Sequence, residues 1–166
     1  MDNDQKSNPE PKLIVTTDIG KEKALADEVL NLLYPIDPIV EVAIYQRKGF
    51  IIVKGGKDPD FLASRILKFS AYAKRVIPIH IVTKASYEHV KKAAYELMIK
   101  KVRKFPTTFY ISCRKRGAYI DSCKNLERYV GEFIEKCGLG EADFHNPAVI
   151  LTIEIVEDRA FLSLKM

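Results

Sequence analysis

The residues best able to do chemistry lie together in one stretch, Phe109 to Ser122, which reads FYISCRKRGAYIDS. Cys113 stands beside three consecutive cations, Arg114, Lys115 and Arg116, and Gly117 follows them. Two chemistries fit this pattern. A neighbouring cation favours the thiolate and would make Cys113 a nucleophile. Alternatively, three cations hold an anion such as a phosphate, and a glycine lets the backbone come close to it. The first reading lacks a base, because none of His80, His89 and His145 is placed by sequence to serve Cys113. A solvated turn is the plain alternative to both.

Other chemistry-bearing residues are more isolated. Glu154 sits between Ile153 and Ile155 and could act as a general base. Strand alternation puts it on the face opposite those isoleucines, which favours a solvated or paired carboxylate. Lys54-Gly55-Gly56-Lys57 hints at a phosphate loop, but the Walker pattern needs glycine where Ile51 stands and Ser or Thr where Asp58 stands. His145 precedes Asn146-Pro147, a turn signal. The three cysteines, Cys113, Cys123 and Cys137, form no CxxC and have no histidine at metal-ligand spacing, so reduced thiols and no metal are expected. Nothing calls for a cofactor.

These residues need elements to position them. KLIVTT (12–17) is a short strand, and helical spacing from Lys21 runs to Tyr34-Pro35. Ile39–Gln46 and Phe50–Gly55 are strands joined by the turn Arg47-Lys48-Gly49. Asp58 caps a helix with Pro59 at its first turn and a buried stripe of Phe61, Leu62, Ile66, Leu67 and Phe69. Arg75–Lys84 reads as one further strand, with Pro78 marking an edge or a bulge. The order β-α-β-β-α-β is the ferredoxin-like motif. Ser86 then caps a long helix to about Lys104, Thr107–Cys113 is a strand, and Asp121 or Ser122 caps the next helix. That helix has a stripe of Leu126, Tyr129, Val130, Phe133, Ile134 and Cys137, with Gly138 past its end. Ala148–Val156 and Ala160–Met166 close the chain as a strand pair, and the apolar AFLSL could offer an edge to a second copy. The fold class is therefore α+β. Residues 1–11 read as a disordered lead-in, 12–85 as a ferredoxin-like domain and 86–166 as a second domain.

Hydrophobic residues make up 47% of the 166, enough for packed cores. The longest apolar runs fall far short of a membrane span, and the polar N-terminus lacks a signal peptide's apolar centre. No membrane contact and a cytoplasmic location are expected. Lys and Arg number 27 against 22 acids, a modest +5. The excess concentrates in residues 91–128, where eleven basic and three acidic residues give +8. A clustered cationic surface is the electrostatic footprint of a nucleic-acid binder. Tyr110 and Tyr119 bracket the Arg-Lys-Arg run and could stack on unpaired bases.

Three blocks in order, FYISCRKRGAYIDS, ERYVGEFI and NPAVILTIEIVEDRAFLSL, give residues 86–166 a resemblance to the THUMP domain of RNA-modifying proteins. The unit before it looks like the ferredoxin-like domain that commonly precedes THUMP. The resemblance implies tRNA binding at the acceptor stem and the single-stranded 3′ CCA end. Enzymes with this pair append a catalytic domain, such as a methyltransferase, thiolation, deaminase or pseudouridine synthase domain. This sequence stops at Met166, directly after the THUMP hairpin. It therefore looks most like the non-catalytic adaptors that present tRNA to a separate modification enzyme, as in N4-acetylcytidine formation by an acetyltransferase.

On that reading Arg114, Lys115 and Arg116 contact phosphates near the 3′ end, and Gly117 admits close backbone approach. Lys100, Lys101, Lys104, Lys124 and Arg128 extend the track along the stem. The rival readings are a small RNA-modifying enzyme using Cys113 or Glu154, and a scaffold whose basic face docks an acidic protein.

Overall fold

The computed structural model describes residues 8–166. Most of the expected lead-in, residues 1–7, lies outside the described residues. Its last two residues, Glu10 and Pro11, already belong to the first strand. The chain divides into two compact units, one ending at Ile79 and one beginning at His80.

The first unit holds β1 (Glu10–Thr16), α1 (Glu22–Leu33), β2 (Glu41–Tyr45), β3 (Phe50–Gly55), α2 (Pro59–Phe69) and β4 (Arg75–Pro78). Its sheet has the order β2-β3-β1-β4, with every pair antiparallel. Leu13, Val15, Ile51 and Val53 pack with Leu25, Val29 and Leu33 of α1 and with Leu62 and Ile66 of α2. Asp58 caps α2 by accepting from the Phe61 N–H at 3.0 Å, and Pro59 takes the first turn. The stripe expected on α2 is only partly right. Leu62 and Ile66 are buried, but Phe61, Leu67 and Phe69 are half or more exposed. One helical face holds positions 62, 63 and 66, and residues 61, 67 and 69 lie off it.

The strand expected over 75–84 is broken in two. Pro78 ends β4 on the edge of the first sheet, because proline has no N–H for a further ladder bond. His80 then donates its backbone N–H to Leu162 O at 2.8 Å, and β5 (Ile81–Lys84) belongs to the second sheet. The contact boundary thus falls before β5, earlier than Ala85.

The second unit continues with α3 (Tyr87–Lys101), β6 (Thr107–Arg116), α4 (Cys123–Lys136), β7 (Gly140–Ala142), β8 (Val149–Val156) and β9 (Arg159–Lys165). The sheet order is β5-β9-β8-β6-β7, with β6 parallel to both β7 and β8. Short β7 follows Gly138 and had no legible pattern of its own. β9 lies between β5 and β8, so AFLSL is an interior strand and offers no edge. The core joins Phe109, Ile111, Leu151, Ile153 and Leu162 of the sheet to Val90, Leu97, Leu126, Val130 and Ile134 of the helices. Removing a buried ring such as Phe109 would cost about 3–5 kcal/mol. Ser86 caps α3 and Ser122 caps α4, each accepting an N–H three residues on. Cys137, expected in the α4 stripe, is exposed, and Tyr129 and Phe133 are half-buried against α3.

Candidate nucleic-acid interface

Strand β6 positions the basic triplet. It pairs with β8 along its length, from Phe109↔Val149 to Arg116↔Val156. Alternation turns Phe109, Ile111 and Cys113 toward the helices and Tyr110, Arg114 and Arg116 to the other face. The three cations consequently go to three places. Arg114 is exposed and has no partner among the described residues. Lys115 donates from Nζ to Ile120 O at 3.2 Å and Asp121 O at 2.9 Å, which folds the following loop back on the strand. Arg116 reaches Glu154, with Nη1 3.4 Å from Oε2 and side chains 19% and 0% exposed. Glu154 is thus the paired carboxylate the alternation allowed, not a solvated one.

The loop after the triplet is tied down at both ends. Gly117 has φ +129°, a conformation side chains resist, and its backbone is open to solvent. Ile120 is buried, and Asp121 accepts from the Tyr87 hydroxyl at 2.6 Å. That bond lowers the Asp121 carboxyl pKa and raises the Tyr87 phenol to about 12. The loop is therefore held to the first turn of α3 as well as to α4. Tyr119 stands out at 64% exposure, whereas Tyr110 is half-buried.

Cys113 is not the thiolate that its sequence neighbours suggest. Arg114 leaves the strand on the opposite face, so it does not act on the thiol. Burial pushes the Cys113 thiol pKa up, and the Cys123 thiol 2.7 Å away pushes it further. The Cys113 backbone N–H donates to Glu127 Oε2 at 3.2 Å.

The +8 window does not form one patch. Tyr87 meets Asp121 and Tyr129, and Tyr95 meets Phe133, so α3 and α4 run in the same direction. Their N-terminal ends adjoin the basic triplet. Lys100, Lys101 and Lys104 lie at or beyond the far end of α3, about 20 Å away at a rise of about 1.5 Å per residue. Lys124 and Arg128 are exposed on the first turns of α4, beside the C-terminal end of β6. Arg114 flanks that strand end from the other face.

A groove of about 360 Å³ lies along β6 where β7 ends, with Lys124 and Arg128 at one end. Phe144, 75% exposed, forms a wall and meets Tyr110 edge-to-face at 5.8 Å. Gly131 of α4 lies opposite. Sequence reasoning named Tyr110 here but missed Phe144 and Gly131. The available signal was a large aromatic in the polar run EADFHNP and a glycine inside a strongly periodic helix.

The phosphate-loop hint in the first unit has another explanation. Asp37, buried, accepts the Gly56 and Lys57 N–H groups at 2.8 and 3.0 Å. A Cβ on Gly55 would stand 2.5 Å from its Oδ2, so the glycine makes room for this carboxylate. Among the described residues no helix is long and apolar enough to cross a membrane, and no group of His, Cys, Asp and Glu could hold a metal ion.

Comparison with known proteins places this arrangement. The chain is 29% identical over 146 residues to a probable tRNA sulfurtransferase of Methanocaldococcus jannaschii, covering 85% of this chain and 38% of that protein. It spans 35–40% of the length of the curated relatives it matches. A solved protein of Pyrococcus horikoshii superposes with a TM-score of 0.79 at 22% identity, covering 94% of this chain and 54% of the other. A 4-thiouridine synthetase solved with RNA and bound ATP gives 0.61 at 17% identity, covering 94% and 41%. The fold is common to both solved structures. The family model for the THUMP domain matches residues 84–165, from the end of β5 through β9, and this part of the chain is a THUMP domain.

Proposed function

We propose that the chain binds tRNA at the acceptor stem and the 3′ single-stranded end, and presents it to a modification activity carried elsewhere. The observation that carries this reading is the cationic rim at the C-terminal end of β6, where Arg114, Lys124 and Arg128 are exposed around a loop fixed by Lys115. A THUMP domain is an RNA-binding module, and such a rim suits phosphates, which position an RNA without reading its sequence. The second group, Lys100, Lys101 and Lys104, would meet the stem about 20 Å away. Arg116 then acts by anchoring the end of β6 to Glu154, and Gly117 by admitting close backbone approach. The partner enzyme would be one such as an N4-acetylcytidine-forming acetyltransferase, working in the cytoplasm, and the chain itself would supply no catalytic group.

Filter binding of tRNA with and without its CCA end tests the proposal. Salt-sensitive binding that weakens on trimming is expected. Equal affinity for both would overturn end recognition, and no binding of either would overturn the RNA reading itself.

A further inference from the structure

We infer that the groove between β6 and α4 is a subsite for one unpaired nucleobase of the bound RNA. This rests on the RNA-binding reading above and adds to it a second, uncharged mode of contact. Four observations converge. The first is the wall: Phe144 presents most of its ring to solvent, braced edge-on by Tyr110. An exposed aromatic beside a cationic rim is the arrangement on which an unpaired base stacks.

The second is Gly131. A glycine inside a helix is disfavoured by about 1 kcal/mol relative to alanine. Packing does not demand it here, since an added Cβ would meet Ile111 and Phe109 at ordinary distances of 3.7 and 3.8 Å. Its missing side chain leaves the groove open opposite Phe144.

The third is the edge of β6. Its pairing with β7 stops at Phe109↔Ala142, and the Phe109 C=O accepts the Asp143 N–H at 2.8 Å. Two positions later on the same side of the pleat comes Ile111, and two later again the Cys113 N–H turns to Glu127. The Ile111 N–H and C=O therefore point past the end of β7 into the groove. Together they present one donor and one acceptor, the pair that a base's Watson–Crick edge requires.

The fourth is charge. Lys124 and Arg128 stand at the mouth, where the nucleotide's phosphate would lie. Of the three groove carboxylates, Glu127 is held by the Cys113 N–H and Glu135 by the Ala142 N–H at 3.1 Å. That leaves Glu132 as the one lining acid outside such a backbone contact.

Two variants probe the site: Gly131→Leu, which fills the groove, and Phe144→Ala, which removes its wall. Each is compared with the wild type for binding a tRNA acceptor-stem hairpin carrying a single-stranded 3′ overhang, and the same hairpin with a blunt end. Thermal melts confirm that both variants fold. Weakening for the overhang RNA of about 5- to 150-fold, the range of one base–aromatic stack, is expected, with blunt-end binding unchanged. A 2-aminopurine in the overhang should be quenched by the wild type and not by Phe144→Ala. If the wild type binds the overhang RNA and both folded variants bind it equally well without altered quenching, the groove is not a base subsite. If the wild type binds neither RNA, the underlying RNA reading fails instead.

Discussion

Arg114 and Arg116 are two residues apart and chemically identical, yet the structure gives them opposite consequences when removed. Arg114→Ala deletes an exposed cation with no partner among the described residues, so stability should stay within about 0.5 kcal/mol of the wild type. If the residue meets one phosphate, the slope of log affinity against log salt should fall by about 0.7–0.9. Between 50 and 200 mM salt, its affinity deficit should then shrink about threefold. Arg116→Met deletes a cation 3.4 Å from a fully buried carboxylate. The loss of a charged partner from a buried group costs about 2 kcal/mol. For a domain of this size that lowers Tm by about 8–16 °C. The double variant Arg116→Met/Glu154→Gln should recover part of the loss, because no uncompensated charge stays buried. Circular-dichroism melts and fluorescence polarisation with labelled tRNA measure the two effects. An unchanged melt for Arg116→Met together with a reduced salt slope would put Arg116 on the RNA and refute the division of roles.

Three further outcomes are expected. Gly140→Ala would place a Cβ 1.9 Å from Thr107 O, so β7 must move; a loss of about 1–3 kcal/mol in urea unfolding and faster exchange of the amides pairing β6 with β7 should follow. The Tyr87 phenol is raised from 10.0 to about 12 by its bond to Asp121, so its contribution is fully present below pH 10 and lost as pH rises toward 12; Tyr87→Phe should flatten the alkaline limb of the stability–pH curve over that window. Toward a disulfide reagent at neutral pH, Cys137, which is exposed, should react first, while Cys113, kept protonated by burial, lags; equal rates in a time-resolved thiol assay would contradict the burial argument.

The sequence made the local features of this fold legible and left the tertiary ones dark. Asp58, Ser86 and the pair Asp121-Ser122 announce three helices because a cap is decided within three residues. Pro78 announces an edge for the same local reason, but not that the strand after it changes sheets. The stripe on α2 was overfilled because Phe61, Leu67 and Phe69 are apolar yet face away from Leu62 and Ile66. The basic triplet was found as a cluster in sequence, but its division of labour depends on Glu154, nearly forty positions on. Lys100, Lys101 and Lys104 show the opposite error. They share a sequence window with Arg114, but the parallel run of α3 and α4 sets them a helix length apart. Phe144 was unreadable as a groove wall because the groove exists only once β7 has ended beside β6.

The parallel pairing of β6 with β8 also has a consequence for the order in which the interface is made. A nascent chain that has reached Ser122 already contains the whole basic triplet, Gly117 and the cap of α4. It lacks β8, which supplies Glu154 to Arg116 and, from the turn after it, the Glu157 N–H that reaches Arg116 O at 3.2 Å. It also lacks β9, without which β8 has no second neighbour. Parallel partners must wait for the intervening chain, since no tight turn can join them. The cations are therefore synthesised well before the scaffold that fixes them, and the cationic rim is complete only once the closing hairpin has emerged.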